Sequence, residues 1–283
     1  MNKHRILVLG ATGKTGRRVV ERLMKKNISV RSGSRSGTPR FDWDDRSTWA
    51  ATLEGMNAVY ITFYPDLAVP AAPGAIQAFT DLAVKSDAKR LVLLSGRGEP
   101  VAQACEEIVR NCGVEWTLLR ASWFAQNFSE SMFLEPVVLG SLALPVGTIG
   151  EPFVDADDIA DVAVAALTEG GHAGQLYELT GPRLWTFAEA AAEIATASKR
   201  AVRFSQVSID EYTAALERAQ LPEEAVSMIR YLFEKVLDGR NESIKDGVRQ
   251  ALGREPRDFS DYVRETAATG VWDARLPSTS AAC

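Results

Sequence analysis

Residues Val8 to Gly16 read VLGATGKTG, and two phosphate chemistries overlap in that stretch. Gly13-Lys14-Thr15 is the tail of a loop that wraps a nucleoside triphosphate. Gly10, Gly13 and Gly16 are spaced for a turn that binds the two-phosphate bridge of a dinucleotide. The triphosphate loop, GxxxxGK[ST], requires a glycine where this chain has Val8, so too few backbone amides remain to wrap a β-phosphate. No later strand ends in the aspartate that would hold magnesium, since RLVLLSG ends in Ser95 and Gly96. The dinucleotide pattern fits. Gly10 permits a tight turn, Gly13 lets backbone approach the pyrophosphate, and Gly16 allows close helix–strand packing. Thr12, Lys14 and Thr15 complete a turn whose amides open a helix and favour an anion.

The second chemical signal lies about 20 residues on, where an acid would select the ribose 2′-hydroxyl of NAD. Arg31, Ser32, Ser34, Arg35 and Ser36 occupy that region, and no acid follows until Asp42. Guanidinium and hydroxyl donors welcome a 2′-phosphate that a carboxylate would repel. NADPH is therefore the expected cofactor, with Arg35 its main contact and Ser34 beside it. A solvated basic loop is the alternative for this cluster.

These residues need a scaffold, and the chain supplies one. RILVLG, NISVRSG, NAVYITF, RLVLLSG and EWTLLRA are short apolar runs with polar or glycine boundaries. Helical spacing appears between them in GRRVVERLMKKN, RSTWAATLEG, GAIQAFTDLAVKSD and EPVAQACEEIVRNCG. Apolar strands alternating with helices imply an α/β fold, a doubly wound parallel sheet covered on both faces. DADDIADVAVAALTEGG reads as a further helix and QLYELTG as a further strand. Residues 1–122 thus form the dinucleotide-binding core, completed by about 154–182. Residues 123–153 and 183–275 form a smaller, mostly helical substrate-capping region, and 276–283 read as a disordered tail. Within the cap, Thr186 with Glu189 and Ser208 with Glu211 are capping boxes, and Pro222 suits a helix's first turn.

Composition narrows the partners. A net charge of −5 over 283 residues, with no basic run interleaved with aromatics, argues against nucleic acid or anionic membrane. No segment approaches the roughly 18 apolar residues of a membrane span. The apolar stretch Ile6 to Leu9 is too short for a signal peptide, so a cytoplasmic protein is expected. Cys105, Cys112 and Cys283 form neither an even set nor a CxxC pair, and His4 and His172 are the only histidines. No metal site is expected.

Several blocks in order carry a resemblance: GATGKTG, the arginine after strand two, FDWDD, LLSGRG, GVEWTLLRASWFAQNF, PFVDADDIADVAVAAL and ALGREPRDFSDYVRETAA. Together they resemble the NmrA-like branch of the atypical short-chain dehydrogenases/reductases (Rossmann fold). The likeness lies nearest the ergot-alkaloid iminium reductase subgroup and its bacterial relatives. It implies that Asp42 and Trp43 lie beside the adenine. It further implies that Thr62 and Phe63, at the end of strand four, border the cofactor, while Ser95 and Gly96 occupy the end of strand five. Ala121 to Phe124 match the loop facing the nicotinamide, with Ser122 and Trp123 within it. The family's usual Pro-Gly is Ala121-Ser122 here.

Ordinary short-chain dehydrogenases place a tyrosine acid and a lysine four residues on, soon after the strand-five serine. This chain has no tyrosine between Tyr64 and Tyr177 and no lysine between Lys89 and Lys199. Tyr231 and Lys235 have the spacing but sit in the helical cap. Ala102 to Cys105 occupy the place of the lysine used by other NmrA-like reductases. Reducing a ketone creates a basic alkoxide that demands a proton donor. Reducing an iminium ion only neutralises a cation, and a reduced quinone is a stabilised anion. The expected activity is hydride transfer from NADPH to such an electron-poor small molecule. Ser95 orients substrate or nicotinamide, or else caps a strand end. Trp123, Phe124, Phe128, Met132, Phe133 and Phe153 are the candidate pocket wall. Asp155, Asp157 and Asp158 either face a cationic substrate or serve as helix N-terminal charges. A non-catalytic dinucleotide sensor acting on a protein partner is the reading from a different class.

Overall fold

In the computed structural model, which describes residues 4–273, continuous apolar runs become strands and amphipathic runs become the helices between them. In chain order these are β1 (Arg5–Leu9), α1 (Lys14–Lys25), β2 (Ser29–Gly33), α2 (Trp49–Leu53), β3 (Ala58–Ile61), α3 (Ala72–Lys85), β4 (Arg90–Gly96), α4 (Pro100–Arg110) and β5 (Glu115–Ala121). There follow α5 (Asn127–Glu130), α6 (Leu134–Leu139), β6 (Ser141–Leu144), β7 (Gly150–Glu151), α7 (Ala156–Thr168), β8 (Gln175–Leu179) and β9 (Trp185–Thr186). The remaining elements are α8 (Phe187–Ser198), β10 (Arg203–Gln206), α9 (Ile209–Arg218), α10 (Glu223–Tyr231), α11 (Gly247–Leu252) and α12 (Phe259–Ala268).

The chain divides into two compact units. The first comprises residues 4–124, 152–183 and 243–257. Its six-stranded sheet runs β2-β1-β3-β4-β5-β8, and every pairing is parallel. The order reverses between β1 and β3, and ligands of such sheets bind outside the carboxyl ends of strands at that point. Gly10 follows β1 there, and Thr62 follows β3. One core, with Val19, Leu23, Ile159 and Ala163, covers one face. A second, with Trp49, Ile76, Phe79 and Cys105, covers the other. Around Phe41 only an isolated bridge joins Asp42 to Asp45, and the next strand of the sheet is Ala58–Ile61. The strands ending at Ile61 and Gly96 are therefore third and fourth, not fourth and fifth.

An arginine–carboxylate network ties α1 to α7 within this unit. Arg22 reaches Asp157 at 2.6 Å and Asp161 at 2.5 Å, and Arg18 approaches Asp157 at 3.4 Å. From the returning segment, Arg254 pairs with Asp158 at 2.7 Å and Asp161 at 2.6 Å, and Arg257 with Asp155 at 2.9 Å. Asp155 also caps α7 by accepting from the Asp157 amide. The three aspartates of the DADD run are thus bound to arginines at a helix N-terminus, the second of the two readings given above. Burial works against the charge of Asp157, but hydrogen bonds and charge from Arg22 and Arg18 leave its proton affinity lowered. A carboxyl lowered on folding stabilises above its unfolded value and loses that contribution as pH falls through the folded one. Asp157→Asn should therefore lose stability at neutral pH and lose less at about pH 3, where an ordinary aspartate of pKa near 4 is mostly protonated and only the lowered folded value retains part of the contribution. Chemical denaturation at both pH values tests this; equal losses at both would refute the charge-based account.

The second unit holds residues 125–151, 184–242 and 258–273 of the described chain. Phe128, Phe133, Phe187 and Phe259 form its aromatic core, with ring centroids 5.1–6.2 Å apart. Both expected capping boxes form, at Thr186–Glu189 and Ser208–Glu211. Pro222 stands at the N-cap of α10 rather than inside its first turn. The segment 243–257, expected in the cap, belongs instead to the first unit, where Gly247 packs against the backbone of Glu178. The tail 276–283 lies outside the described residues. Among the described residues, no helix is long and apolar enough to cross a membrane.

Candidate functional site

The phosphate turn is built by close backbone approach. Gly10 has φ +61°, a conformation L side chains rarely adopt, and a Cβ there would collide with the Thr62 hydroxyl. A Cβ on Gly16 would fall on the carbonyl of Gly10, so only glycine lets α1 start this close to β1. The Gly13 amide donates to the Gly10 carbonyl at 2.8 Å, closing the turn. Thr12 and Gly13 are exposed, Lys14 is half-buried, and Thr15 and Gly16 are buried. Gly13 is the N-cap of α1 and brings no side chain to cap the first amides. A turn of this kind, open at a 12-residue helix's N-terminus and lined by backbone, fits a pyrophosphate.

Around the end of β2 the basic cluster separates into two roles. Arg31 donates to the carbonyls of Ala51, Thr52 and Glu54 at 2.8–3.2 Å, closing the C-terminal end of α2. Arg35 is exposed, with its guanidinium 5.4 Å from the centroid of the exposed Tyr64 ring. Ser34 is half-buried with its hydroxyl 3.4 Å from that of Ser36. Asp42 is held by Arg40 at 2.6 Å and accepts from the Asp44 amide. The Trp43 indole donates to the Thr62 carbonyl at 3.0 Å, and its ring lies 4.8 Å from Phe63. The Thr62 hydroxyl donates to the Leu9 carbonyl at 3.1 Å. Trp43, Thr62 and Phe63 thus meet at the ends of β1 and β3, as do residues that border one crevice.

At the end of β4 the structure changes two expectations. The Ser95 hydroxyl is buried and donates to Glu106 Oε1 at 2.7 Å. That commits it to an internal network, which does not support an orienting role toward a bound molecule. Glu106, 1% exposed, also accepts from Arg120 Nε at 2.9 Å and from the Arg120 terminal amino group. Sequence reasoning missed this pair, although a signal existed: Glu106 interrupts the buried stripe Ala102, Cys105, Val109 of α4. Burial, reinforced by Glu106, pushes the Cys105 thiol up to about 12 and leaves it inert. Ser122 is likewise committed, donating to the Pro152 carbonyl at 2.6 Å. Trp123 and Phe124 are half-buried, and both pair with Val154 through backbone.

The expected pocket wall is divided by burial. Phe128 and Phe133, fully buried, belong to the aromatic core of the second unit, and Phe153, 1% exposed, to the packing of the first. Their bulk serves packing instead of lining an open surface. Trp123, Phe124 and Met132 remain half-buried. Tyr231 ends α10, and Lys235 is exposed on the π-helical turn Leu232–Val236 that follows.

A second acidic group went unnoticed in the sequence. Glu99, 7% exposed, is the N-cap of α4 but gives its helix no side-chain hydrogen bond. Its carboxylate lies over Gly96, with both oxygens 2.5–2.6 Å from where a Cβ would stand. Burial, and then the charge of Asp66, pushes Glu99 up to about 8. Asp66, in the loop after β3, is raised by burial although it accepts from the Ala68 amide at 2.8 Å. Among the described residues, no His, Cys, Asp or Glu group of three or more is placed to hold a metal ion.

Comparison with known proteins agrees with this geometry. The NAD(P)H-binding family model matches residues 10–170. An uncharacterized oxidoreductase of Bacillus subtilis is 32% identical over 96% of this chain and 99% of its own. Agroclavine dehydrogenase of Claviceps fusiformis is 30% identical over 94% and 98%. Among solved structures, an NADPH-dependent quinone oxidoreductase of Escherichia coli complexed with NADPH superimposes with a TM-score of 0.77 at 21% identity, covering 92% and 99%. NmrA, a negative transcriptional regulator, in complex with NAD, gives 0.70 at 17%, covering 95% and 98%.

Proposed function

This chain is an NAD(P)H-dependent reductase of the NAD(P)H-binding family, in its NmrA-like branch of atypical short-chain dehydrogenases/reductases, and on that premise we propose NADPH as its reductant and an electron-poor small molecule as its acceptor. An imine, an iminium ion or a quinone meets that description. The carrying observation is the absence of tyrosine between Tyr64 and Tyr177 and of lysine between Lys89 and Lys199. No Tyr–Lys pair lies between β4 and β8, so the acceptor is one whose reduction does not strand a strongly basic oxyanion.

The cofactor supplies a hydride when bound. Gly10, Thr12, Gly13, Lys14, Thr15 and Gly16 would hold its pyrophosphate, and Ser34 and Arg35 its 2′-phosphate. Asp42 and Trp43 would border the adenine, and Thr62, Phe63, Gly96, Ser122 and Trp123 the nicotinamide half. Ser95 shapes that border only through its bond to Glu106. Trp123 and Phe124 supply the apolar surface against which a flat acceptor packs and from which water is excluded.

Arg35→Ala should weaken NADPH binding by about 10- to 100-fold, the value of a charge-assisted hydrogen bond. NADH binding should change less than about twofold, and calorimetric titration of both cofactors checks it. Equal losses for both would remove Arg35 from 2′-phosphate recognition. Turnover is tested by following NADPH absorbance with cyclic imines, quinones and azo dyes. A cofactor sensor is the second reading, favoured by the likeness to NmrA and by the missing acid pair. Tight NADPH binding with no oxidation above the blank would select it.

A further inference from the structure

The end of β4 holds a carboxyl group with no hydrogen-bond donor. Glu99 is buried, its side chain turns back from the helix it caps, and its oxygens rest on the bare Cα of Gly96. A side chain at position 96 would drive it away, so the glycine makes room for the acid. In the loop after β3, Asp66 accepts from the Ala68 amide and lies near enough for its charge to raise the proton affinity of Glu99. Among the described residues, no lysine or arginine pairs with either. The charged groups of surrounding elements are engaged elsewhere. Arg97, after β4, turns to Glu178 of β8 and to Ser243, and Glu106 of α4 is taken by Arg120 of β5. Two neighbouring carboxyls without a counter-charge, Glu99 buried and Asp66 half-buried, do not both ionise readily near neutrality; one proton stays with the pair. The place matters too: β3 and β4 end here at the same sheet edge, next to the switch point between β1 and β3.

We propose that Asp66 and Glu99 hold a single proton between them at neutral pH and deliver it to the acceptor heteroatom during reduction. The inference rests on the reductase reading above. In a neutral imine, the carbon takes the hydride from the reduced nicotinamide dinucleotide and the C=N π pair moves to nitrogen. The Glu99 O–H bond breaks as the new N–H bond forms, leaving the carboxylate to be reprotonated from solvent through Asp66, the more exposed partner. The pair supplies the one proton a neutral imine needs, without the lysine-activated phenol that serves an alkoxide. The acceptor class is thereby narrowed to molecules that need one proton at the atom beside the reduced carbon.

Two measurements test this. In cofactor-free protein carrying carboxyl-¹³C glutamate, one resonance should titrate near pH 8 and vanish in Glu99→Gln. Asp66→Asn should move that midpoint down by removing the like charge. If every glutamate titrates in the ordinary carboxylate range, the shared proton does not exist and the inference falls, whatever the turnover. The second measurement compares a neutral cyclic imine with its N-alkylated iminium analogue, which needs no proton. In Glu99→Gln the ratio of the two rates, imine over iminium, should drop about 100-fold or more, the ordinary value of a positioned acid. In the wild type that ratio should decline above about pH 8. An unchanged ratio in both Glu99→Gln and Asp66→Asn overturns proton delivery. If the resonance titrates near pH 8 but the wild type reduces neither compound, delivery is overturned together with the reductase reading, while the shared proton stands.

Discussion

Gly16→Val is expected to reduce NADPH affinity at least ~100-fold while lowering the melting temperature of the cofactor-free protein. The new Cβ would sit on the Gly10 carbonyl and 3.1 Å from the Ala11 Cα. All are backbone atoms that cannot rotate aside, so α1 must move away from β1. Overpacking of this kind costs about 1–3 kcal/mol, and the displaced backbone is the same that would hold the pyrophosphate. Gly74→Ala is the control: it lies in α3, and an added Cβ meets nothing within 4 Å. Alanine's better helix propensity should leave that variant equal to or slightly more stable than the parent, with unchanged binding. Wild-type NADPH affinity in Gly16→Val would show that the turn does not hold the cofactor.

Arg120→Met should be the most destabilising of the conservative-volume changes, by about 3–5 kcal/mol, the cost of stranding a buried charge. It leaves the Glu106 carboxylate, 1% exposed, with the Ser95 hydroxyl as its remaining partner. Arg120 itself keeps 20% of its side chain exposed, so Glu106→Met should cost less, because the stranded guanidinium still reaches water. Replacing both by Met should restore most of the loss, since a buried ion pair and a well-packed apolar pair differ little in stability. Denaturant unfolding of the three variants measures the coupling. If the double variant is as unstable as the sum of the singles, the network matters for its shape and not for its charge.

Much of the fold was legible because it follows from local rules. A glycine-spaced turn between an apolar strand and an amphipathic helix can bind a dinucleotide only in one local geometry, and that geometry formed. The capping boxes at Thr186 and Ser208 formed for the same reason: each is decided within four residues. What stayed hidden depends on distant partners. No periodicity tells that residues 243–257 return to the sheet, because Gly247 is chosen by the backbone of Glu178, far away in sequence. The aromatic run 123–133 reads as one surface, yet Phe128 and Phe133 are claimed by Phe187 and Phe259. Nothing in the sequence around Asp66 and Glu99 marks them, because it is the surroundings each meets in the fold that raise its proton affinity. Ser95 was noticed by position, but its partner sits on the following helix. The glycine turn after β1 was thus legible and the β4 end was not, because the first is local backbone and the second is side-chain pairing.

The three-segment construction of the first unit bears on how the protein is made. Asp155 and Asp158 lie deep in that unit, and the arginines that neutralise them come about a hundred residues later, at 257 and 254. During synthesis on the ribosome the sheet can assemble once β8 has emerged, but the pairs from Asp155 to Arg257 and from Asp158 to Arg254 close only after those arginines have left the exit tunnel. The nascent unit lacks those two ion pairs until residues 254 and 257 arrive. A prematurely terminated product would expose the defect to quality-control proteases.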